Sequence, residues 1–364
     1  APRRTPSHTR KESAVDMERV ERLAFGVVGD MGGAFMMALG YIGDRLGLFK
    51  AMAGAGPVTS QELADKTGLN ERYVREWGNA MVAAEYIDYE PDAKRYVMTE
   101  EQAFVLANED SPMFVGGGFQ FTAPSLLNVN KVMDAFKNGG GIPYNEIGDE
   151  VYEAIERFFR PGYVHHLTDE WLAAVPDLTD RLQKGARIAD VGCGHGQSTV
   201  AMGKAFPNSQ VLGIDYHEPS IQRARALAAD NGLNNVEFLA ASVEEMPTDP
   251  PYDLICSFDC IHDMVDPVGA LKAIRSALAD DGVYLWGEPN VSDEPLERRN
   301  PVGKVFSALS PLHCMTVSLA HGGAGLGTVI GEAGARALAD QAGFSGFEKL
   351  PIENPFNQFF ALSR

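Results

Sequence analysis

The spacing of hydrophobic and polar residues changes character along the chain. Residues 23–53 are rich in Gly, Ala, Met and Leu with few charges, and two helices are predicted there, around Met31–Leu48 and leading into Phe49–Ala53. So apolar a surface needs more cover than a lone helix supplies, which points to a partner subunit. From residue 57 the pattern sharpens. Thr59-Ser60-Gln61-Glu62 is a capping box opening a helix with Leu63 and Ala64 inward, and Gly68 closes it. Asn70 caps a second helix whose apolar stripe is Tyr73, Val74, Trp77, Met81 and Val82. Ile87–Tyr89 and Arg95–Met98 read as short strands around Pro91-Asp92-Ala93. Helix, turn, helix and hairpin together describe a winged helix.

Residues 100–175 read as mostly helical, punctuated at Gly116–Gly118 and Gly139–Gly141. A long helix through Tyr152–Phe159 is predicted to stop at Pro161-Gly162, and another to begin near Tyr163 and carry His165, His166 and Trp171. From Ala186 strand and helix alternate. Strands are predicted at Arg187–Asp190, Gln210–Asp215, Val236–Ala240, Leu254–Phe258 and Val283–Glu288. Helices fill the gaps at Ser198–Ala205, Pro219–Asn231, Val268–Leu278 and Glu332–Ala342. Two closing strands, near Phe347–Pro351 and Phe356–Leu362, follow with no helix between them. The chain is therefore expected to form a doubly wound, Rossmann-like α/β sheet of seven strands, the last antiparallel, behind a mostly helical N-terminal winged-helix domain. The expected division is a disordered tail over 1–20, the winged helix over 21–110, a helical linker over 111–180 and the α/β domain over 181–364.

Composition narrows the partners. Over 364 residues the formal net charge is −19, which disfavours a nucleic-acid partner, because phosphate binding needs a basic surface. Within residues 59–97 eight acidic residues oppose five basic ones, so the winged helix reads as a dimerisation module rather than a DNA reader. No uninterrupted apolar run reaches the ~18 residues of a membrane span, and APRRTPSHTRKES has no apolar core of a secretory signal. Cys193, Cys256, Cys260 and Cys314 are too few for a disulfide framework, and Cys256 and Cys260 lack the second pair of a zinc site. A reduced, cytoplasmic protein is expected.

The motif with chemistry in it is Asp190-Val191-Gly192-Cys193-Gly194-His195-Gly196, which joins the first strand of the α/β region to its first helix. A glycine-rich turn here lets backbone approach a ligand over a helix N-terminus. The dinucleotide spacing would need glycine at 197, where Gln197 stands. Asp215 ends the second strand, where an acid can accept both hydroxyls of a ribose. Ala241-Ser242-Val243-Glu244 and Ser257-Phe258-Asp259 end the third and fourth. All of these lie at the carboxyl ends of parallel strands, where open α/β sheets bind ligands.

On these residues the chain resembles the class I S-adenosylmethionine-dependent methyltransferases over roughly residues 180–364. A narrower resemblance spans most of the chain. Gly-Asp-Arg-Leu-Gly-Leu (43–48), Glu-Arg-Tyr-Val-Arg-Glu-Trp (71–77), Arg-Phe-Phe-Arg-Pro-Gly-Tyr (157–163) and His-Asp-Met-Val-Asp-Pro-Val-Gly (262–269) look like the small-molecule O-methyltransferases of plants and bacteria. The resemblance implies a homodimer formed through the N-terminal domain, with S-adenosylmethionine as donor. It implies that Asp190 meets the donor's ammonium, Gly192, Gly194 and Gly196 give close backbone contact, and Asp215 takes the ribose. Where the family usually has Asp beside the adenine amino group, this chain has Ser242, which shifts that contact toward the Val243 backbone. Asp259 is placed on the methionine side.

A hydroxyl acceptor needs a base, and the resemblance assigns it to His262, with Glu288 matching the first of two flanking acids. The second acid would fall near Val329; Glu332 is the nearest. A thioether or thiol sulfur acceptor is the alternative and needs no such base at the sulfur. A metal-dependent reading would pair Asp259 with Glu288 and Asn290, but Pro289 splits that pair, so no metal is expected. Residues 300–326 and Phe158, Phe159, Tyr163 and His166 are the expected pocket walls, with Phe158 and Phe159 more core than contact. Arg160, Tyr163, His166 and Lys304 are candidate partners for an acidic acceptor, while His195 is expected to face solvent. The competing function is a transcription regulator that reads DNA with the winged helix and senses a ligand with the α/β domain.

Overall fold

The computed structural model describes residues 15–364, so most of the predicted N-terminal tail lies outside the described residues. Helix α1 (Met17–Arg45) opens the described chain, one unbroken helix where the sequence pattern gives a start near Met31. α2 (Leu48–Met52), α3 (Ser60–Thr67) and α4 (Glu71–Ala83) follow, then the antiparallel hairpin β1 (Asp88–Glu90) and β2 (Arg95–Val97). The Thr59 capping box is present: the Glu62 N–H donates to Thr59 Oγ1, and the Thr59 N–H donates to Glu62 Oε2. Gly68 ends α3 in the left-handed region, and the Asn70 side chain caps α4. Val74, Trp77 and Met81 face a core shared with Leu48, Phe49 and Phe119. Tyr73 departs from the predicted stripe and is 79% exposed, because it precedes Val74 by one position and so points about 100° away on the helix.

Next come α5 (Glu100–Leu106), α6 (Gly116–Leu127), α7 (Val129–Asn138) and α8 (Asp149–His165). The helix predicted to stop at Pro161 continues through it. Pro161 lies in the last turn and is buried, so packing offsets its missing N–H. The chain then widens into a π-turn at Leu167–Trp171, which inserts Leu167 and Trp171 into the core below the sheet. α8 is tied to α1 by a largely buried ion pair: Arg157 donates to both Asp44 oxygens, at 2.8 and 3.0 Å.

After α9 (Leu178–Lys184) the α/β region alternates β3 (Arg187–Val191), α10 (Gln197–Ala205), β4 (Gln210–Asp215), α11 (Glu218–Asp230), β5 (Val236–Ala240), β6 (Tyr252–Phe258), α12 (Pro267–Ala277) and β7 (Leu278–Pro289). Two helices, α13 (Pro301–Leu312) and α14 (Cys314–Ala320), are inserted before α15 (Glu332–Ala342), β8 (Gly346–Lys349) and β9 (Asn357–Ser363). The sheet order is β5-β4-β3-β6-β7-β9-β8, parallel through β7, with β9 antiparallel to both its neighbours. This is the predicted seven-stranded, doubly wound sheet. Its core lies on both faces: Leu271, Ile274 and Leu338 pack from α12 and α15 on one, and Leu182, Met202 and Phe206 from α9 and α10 on the other.

α1 is also long and apolar enough to cross a membrane by length and composition. Its large side chains, including Leu23, Phe25, Val28 and Phe35, are exposed in the single chain.

Candidate active site

The parallel strands β3, β4, β6 and β7 all end at one edge of the sheet, and a cavity of about 1360 Å³ opens over that edge. α8 and the residues before it close one side, and α13 and α14 close another.

At the end of β3 the chain turns through Gly192, Gly194 and Gly196, whose φ angles are +71°, +50° and +83°. These are left-handed conformations that side-chain-bearing residues rarely adopt. The glycines differ in surroundings. A Cβ on Gly192 would meet Cys260 Sγ at 2.6 Å, and one on Gly196 would meet Ala224 at 2.8 Å, whereas one on Gly194 would meet nothing within 4 Å. Gly192 and Gly194 line the cavity; Gly196 stands behind them, starting α10. The buried Asp190 carboxylate accepts from Ser198 Oγ at 2.6 Å and Thr199 Oγ1 at 2.5 Å, both through Oδ2, and so clamps the loop to the first turn of α10. Burial pushes its pKa up to about 6 despite those two bonds.

Asp215 accepts from the Gly194 N–H at 3.0 Å and the His217 N–H at 2.9 Å. Burial raises its pKa above the usual range. Tyr144 stands over this region, stacked on Tyr152 at 4.4 Å. Val243 lines the cavity, but the Ser242 hydroxyl is turned to Glu245 in a capping box of its own.

Asp259 follows β6 with φ +52°, and Asn357 of β9 donates to both its oxygens at 2.8 Å. Burial, together with the nearby Glu288 carboxylate, pushes Asp259 up to about 7. His262 is 1% exposed. Its Nδ1–H donates to Glu288 Oε2, and the other Glu288 oxygen accepts from Trp286 Nε1 at 2.8 Å. That bond holds the Nδ1 proton, so the neutral ring carries its lone pair on Nε2. Nε2 lies 3.2 Å from Asp263 Oδ1, on the side of Asp263 and Cys314, both of which line the cavity. Burial works against charging His262, but Glu288 and Asp263 outweigh it and hold its pKa well above the ordinary imidazole value. Cys314 is pushed up to about 12 by burial and remains a thiol. Glu288 has both oxygens engaged and Asn290 donates to the Asn354 carbonyl, so Asp259, Glu288 and Asn290 do not converge as a ligand set.

The structure pairs several of the predicted contact residues elsewhere. Arg160 donates to the Glu109 carbonyl at 2.9 Å and pairs with Asp110, Lys304 pairs with Asp30 of α1, and His166 bonds Glu170 at 2.8 Å. None of the three lines the cavity, because each finds a local anion outside it. Tyr163 does line it, packed against Phe258 and Trp171. His195 is not solvent-facing: it bonds Glu156 of α8 at 2.7 Å, as does Gln197 at 2.6 Å. Phe158 and Phe159 line the cavity and also pack on one another. Sequence reasoning missed Glu156, Asn357, Tyr144 and Cys314. Each reaches the site from a distant segment, and no local spacing marks it.

Comparison with known proteins agrees with this geometry. Residues 182–320 match the methyltransferase domain family, and residues 33–108 match the Rv2258c-like winged HTH domain family. The chain thus carries a methyltransferase domain, in the fold of S-adenosylmethionine-dependent methyltransferases, behind an N-terminal winged-helix domain. Among curated relatives, the ubiquinone biosynthesis O-methyltransferase of Bordetella avium (strain 197N) is 29% identical over 213 residues, which are 57% of this chain and 81% of that protein. Similar solved structures include mitomycin 7-O-methyltransferase MmcR, at 20% identity and TM-score 0.72, covering 95% of this chain and 99% of that one. Human N-acetylserotonin methyltransferase, solved in complex with S-adenosylmethionine, has 18% identity and TM-score 0.68 and covers 97% and 99%. The winged helix carries no free cationic face on α4, where Arg72 pairs with Glu76 and Arg75 with Glu71.

The loop geometry makes a testable distinction. Gly192→Ala combines a left-handed φ with a clash against Cys260 and is expected to cost about 3 kcal/mol or more, whereas Gly194→Ala carries only the conformational cost of about 1–2 kcal/mol. Urea unfolding of the two variants beside the parent measures both.

Proposed function

We propose that the protein transfers the methyl group of S-adenosylmethionine to a hydroxyl of a small-molecule acceptor, with His262 as the base. The observation that carries this reading is the Glu288–His262 pair, buried at the end of β7 with its second nitrogen on the cavity side. The residues present fit the donor. Open space beside Gly194 admits a ligand against the loop backbone, and Asp215 retains lone pairs for two ribose hydroxyls after its two backbone bonds. Asp190 keeps Oδ1 after binding Ser198 and Thr199, and Asp259 lies on the same side. Both have raised pKa values and, among the described residues, no Lys or Arg beside them in the cavity, so a cationic ammonium stabilises their ionised forms. Val243 lines the cavity where the adenine would lie. When bound, the donor supplies an electrophilic methyl on a sulfonium. The chain's part is to hold the acceptor hydroxyl in line, about 3–3.5 Å from that methyl, and to move its proton to His262 Nε2 as the new oxygen–carbon bond forms. Glu288 keeps the imidazole in the accepting tautomer and offsets the charge it gains.

The exposed apolar face of α1 is assigned to a second copy of the chain, giving a homodimer through the N-terminal region. Support comes from its exposed Leu23, Phe25, Val28 and Phe35, which burial in a dimer would stabilise. A cytoplasmic location is assigned with it, consistent with four cysteines that are all free thiols.

Asp215→Ala is expected to weaken S-adenosylmethionine binding at least about tenfold by calorimetry, while His262→Ala leaves it unchanged and lowers turnover about 10²–10⁴-fold. The assay incubates protein with labelled donor and cell extract and identifies the labelled product by mass spectrometry. Full turnover in His262→Ala would discard the base and favour a sulfur acceptor. The pH dependence follows from the raised His262 pKa. The base works only when neutral, so turnover falls as pH drops through a value above the ordinary imidazole range. Glu288→Gln removes a cause of that rise and moves the acid limb to lower pH, read from the rate–pH profile. Sedimentation of the full chain is expected to show a dimer that Phe25→Glu with Phe35→Glu converts to monomer.

A further inference from the structure

We propose that the acceptor is uncharged or cationic, and that acceptors bearing a carboxylate, phosphate or sulfate are excluded from the acceptor side of the cavity. The proposal rests on the methyl-transfer reading only for the word acceptor; the ligand chemistry follows from the walls themselves. Among the described residues no Lys or Arg side chain lines the cavity. Carboxylates do: Asp190, Asp215, Asp259 and Asp263 in its depth, and Glu85 and Glu101 at the winged-helix side, where both are exposed.

Cations stand close by in the sequence but are committed elsewhere. Arg157 is held by Asp44 and Glu109, Arg160 by Asp110 and the Glu109 carbonyl, and Lys304 by Asp30. The imidazoles do not make up the deficit. Burial lowers the pKa of His313, any charge on His262 is shared between Glu288 and Asp263, His195 is paired with Glu156, and His321 is exposed to solvent.

The wall on the α13–α14 side carries Val302, Phe306, Leu309 and Val317, with Phe121 packed beside His313, and its polar side chains there are His313, Cys314 and His321. A buried anion there would lose its hydration, gain no counter-charge and stand near carboxylates of its own sign. The same surroundings favour a hydrogen-bond donor. Asp263 lines the cavity with its Oδ1 3.2 Å from His262 Nε2, so an acceptor bearing O–H or N–H groups finds an oxygen there that repels an anion.

A pair of dyes that differ only in charge tests this without any methyl transfer. N-phenylnaphthylamine is an uncharged fluorophore, and anilinonaphthalenesulfonate is the same ring system with a sulfonate. Both are titrated into the full-length protein and into Leu309→Trp and Leu309→Arg, with circular dichroism confirming that the variants fold. Because α1 also presents apolar surface, only binding that changes in the Leu309 variants counts as cavity binding. The uncharged dye is expected to bind the cavity at least about tenfold more tightly than the sulfonate. Leu309→Trp is expected to weaken it by filling the wall. Leu309→Arg is expected to strengthen sulfonate binding about tenfold, by adding the missing cation. Equal cavity affinity for the two dyes overturns the proposal. So does an absence of cavity-dependent binding by the uncharged dye, or sulfonate binding that Leu309→Arg leaves unchanged. None of these outcomes bears on donor binding, so failure here is separable from failure of the methyl-transfer reading.

Discussion

Four carboxylates are brought together where the central strands end, and much of the site follows from the need to accommodate them. Asp190, Asp215, Asp259 and Glu288 close β3, β4, β6 and β7 at one edge of the sheet. A buried carboxylate without partners is costly, so each is given its own donors. Asp190 takes the hydroxyls of Ser198 and Thr199, and Asp215 takes the N–H groups of Gly194 and His217. Asp259 takes the Asn357 amide, and Glu288 takes His262 and Trp286. Those donors do the local positioning. Ser198 and Thr199 clamp the glycine loop, Gly194 sets its distance from Asp215, and Glu288 orients the imidazole. The three aspartates on the cavity side all have raised pKa values, which is the electrostatic condition that a cationic ligand relieves.

The helices around the cavity are fixed by a second set of contacts. Asp44, from one of the motifs behind the family resemblance, pairs with Arg157 from another, so these two motifs meet across α1 and α8 rather than at a ligand. One position earlier on α8, Glu156 holds His195 and Gln197 of the glycine loop and also meets Arg223 of α11. α8 therefore couples the winged-helix side to the loop through two adjacent residues facing different ways. This explains why the cations predicted to meet an acidic acceptor are missing from the cavity. Arg160 pairs with Asp110 beside α8, and Lys304 serves a joint between α13 and α1.

The sequence was most legible where the chemistry is local. Capping at Thr59 and Asn70, the glycine turn after β3 and the strand–helix alternation each depend on residues within a few positions of one another. Pro161 misled for a related reason: its local effect is to stop a helix, but burial in the last turn of α8 holds the helix together past it. Tyr73 misled because a five-residue stripe was drawn one position too wide for a helix of this length.

Local pattern alone determined the strand–helix alternation of the α/β region, its seven strands and the place of Asp190, Asp215, Asp259 and Glu288 at strand ends, because helical and strand periods and turn residues act over short distances. Which side chains share the cavity was decided only in the folded chain. Asn357 reaches Asp259 across 98 positions, His195 turns from solvent to Glu156, and Arg160 turns away to Asp110. A charged side chain settles on the nearest opposite charge that packing supplies, and that neighbour is set by the crossing of helices and strands far apart in sequence. The sign of the cavity is therefore a property of the tertiary structure, although every residue that makes it acidic stands in plain view in the chain.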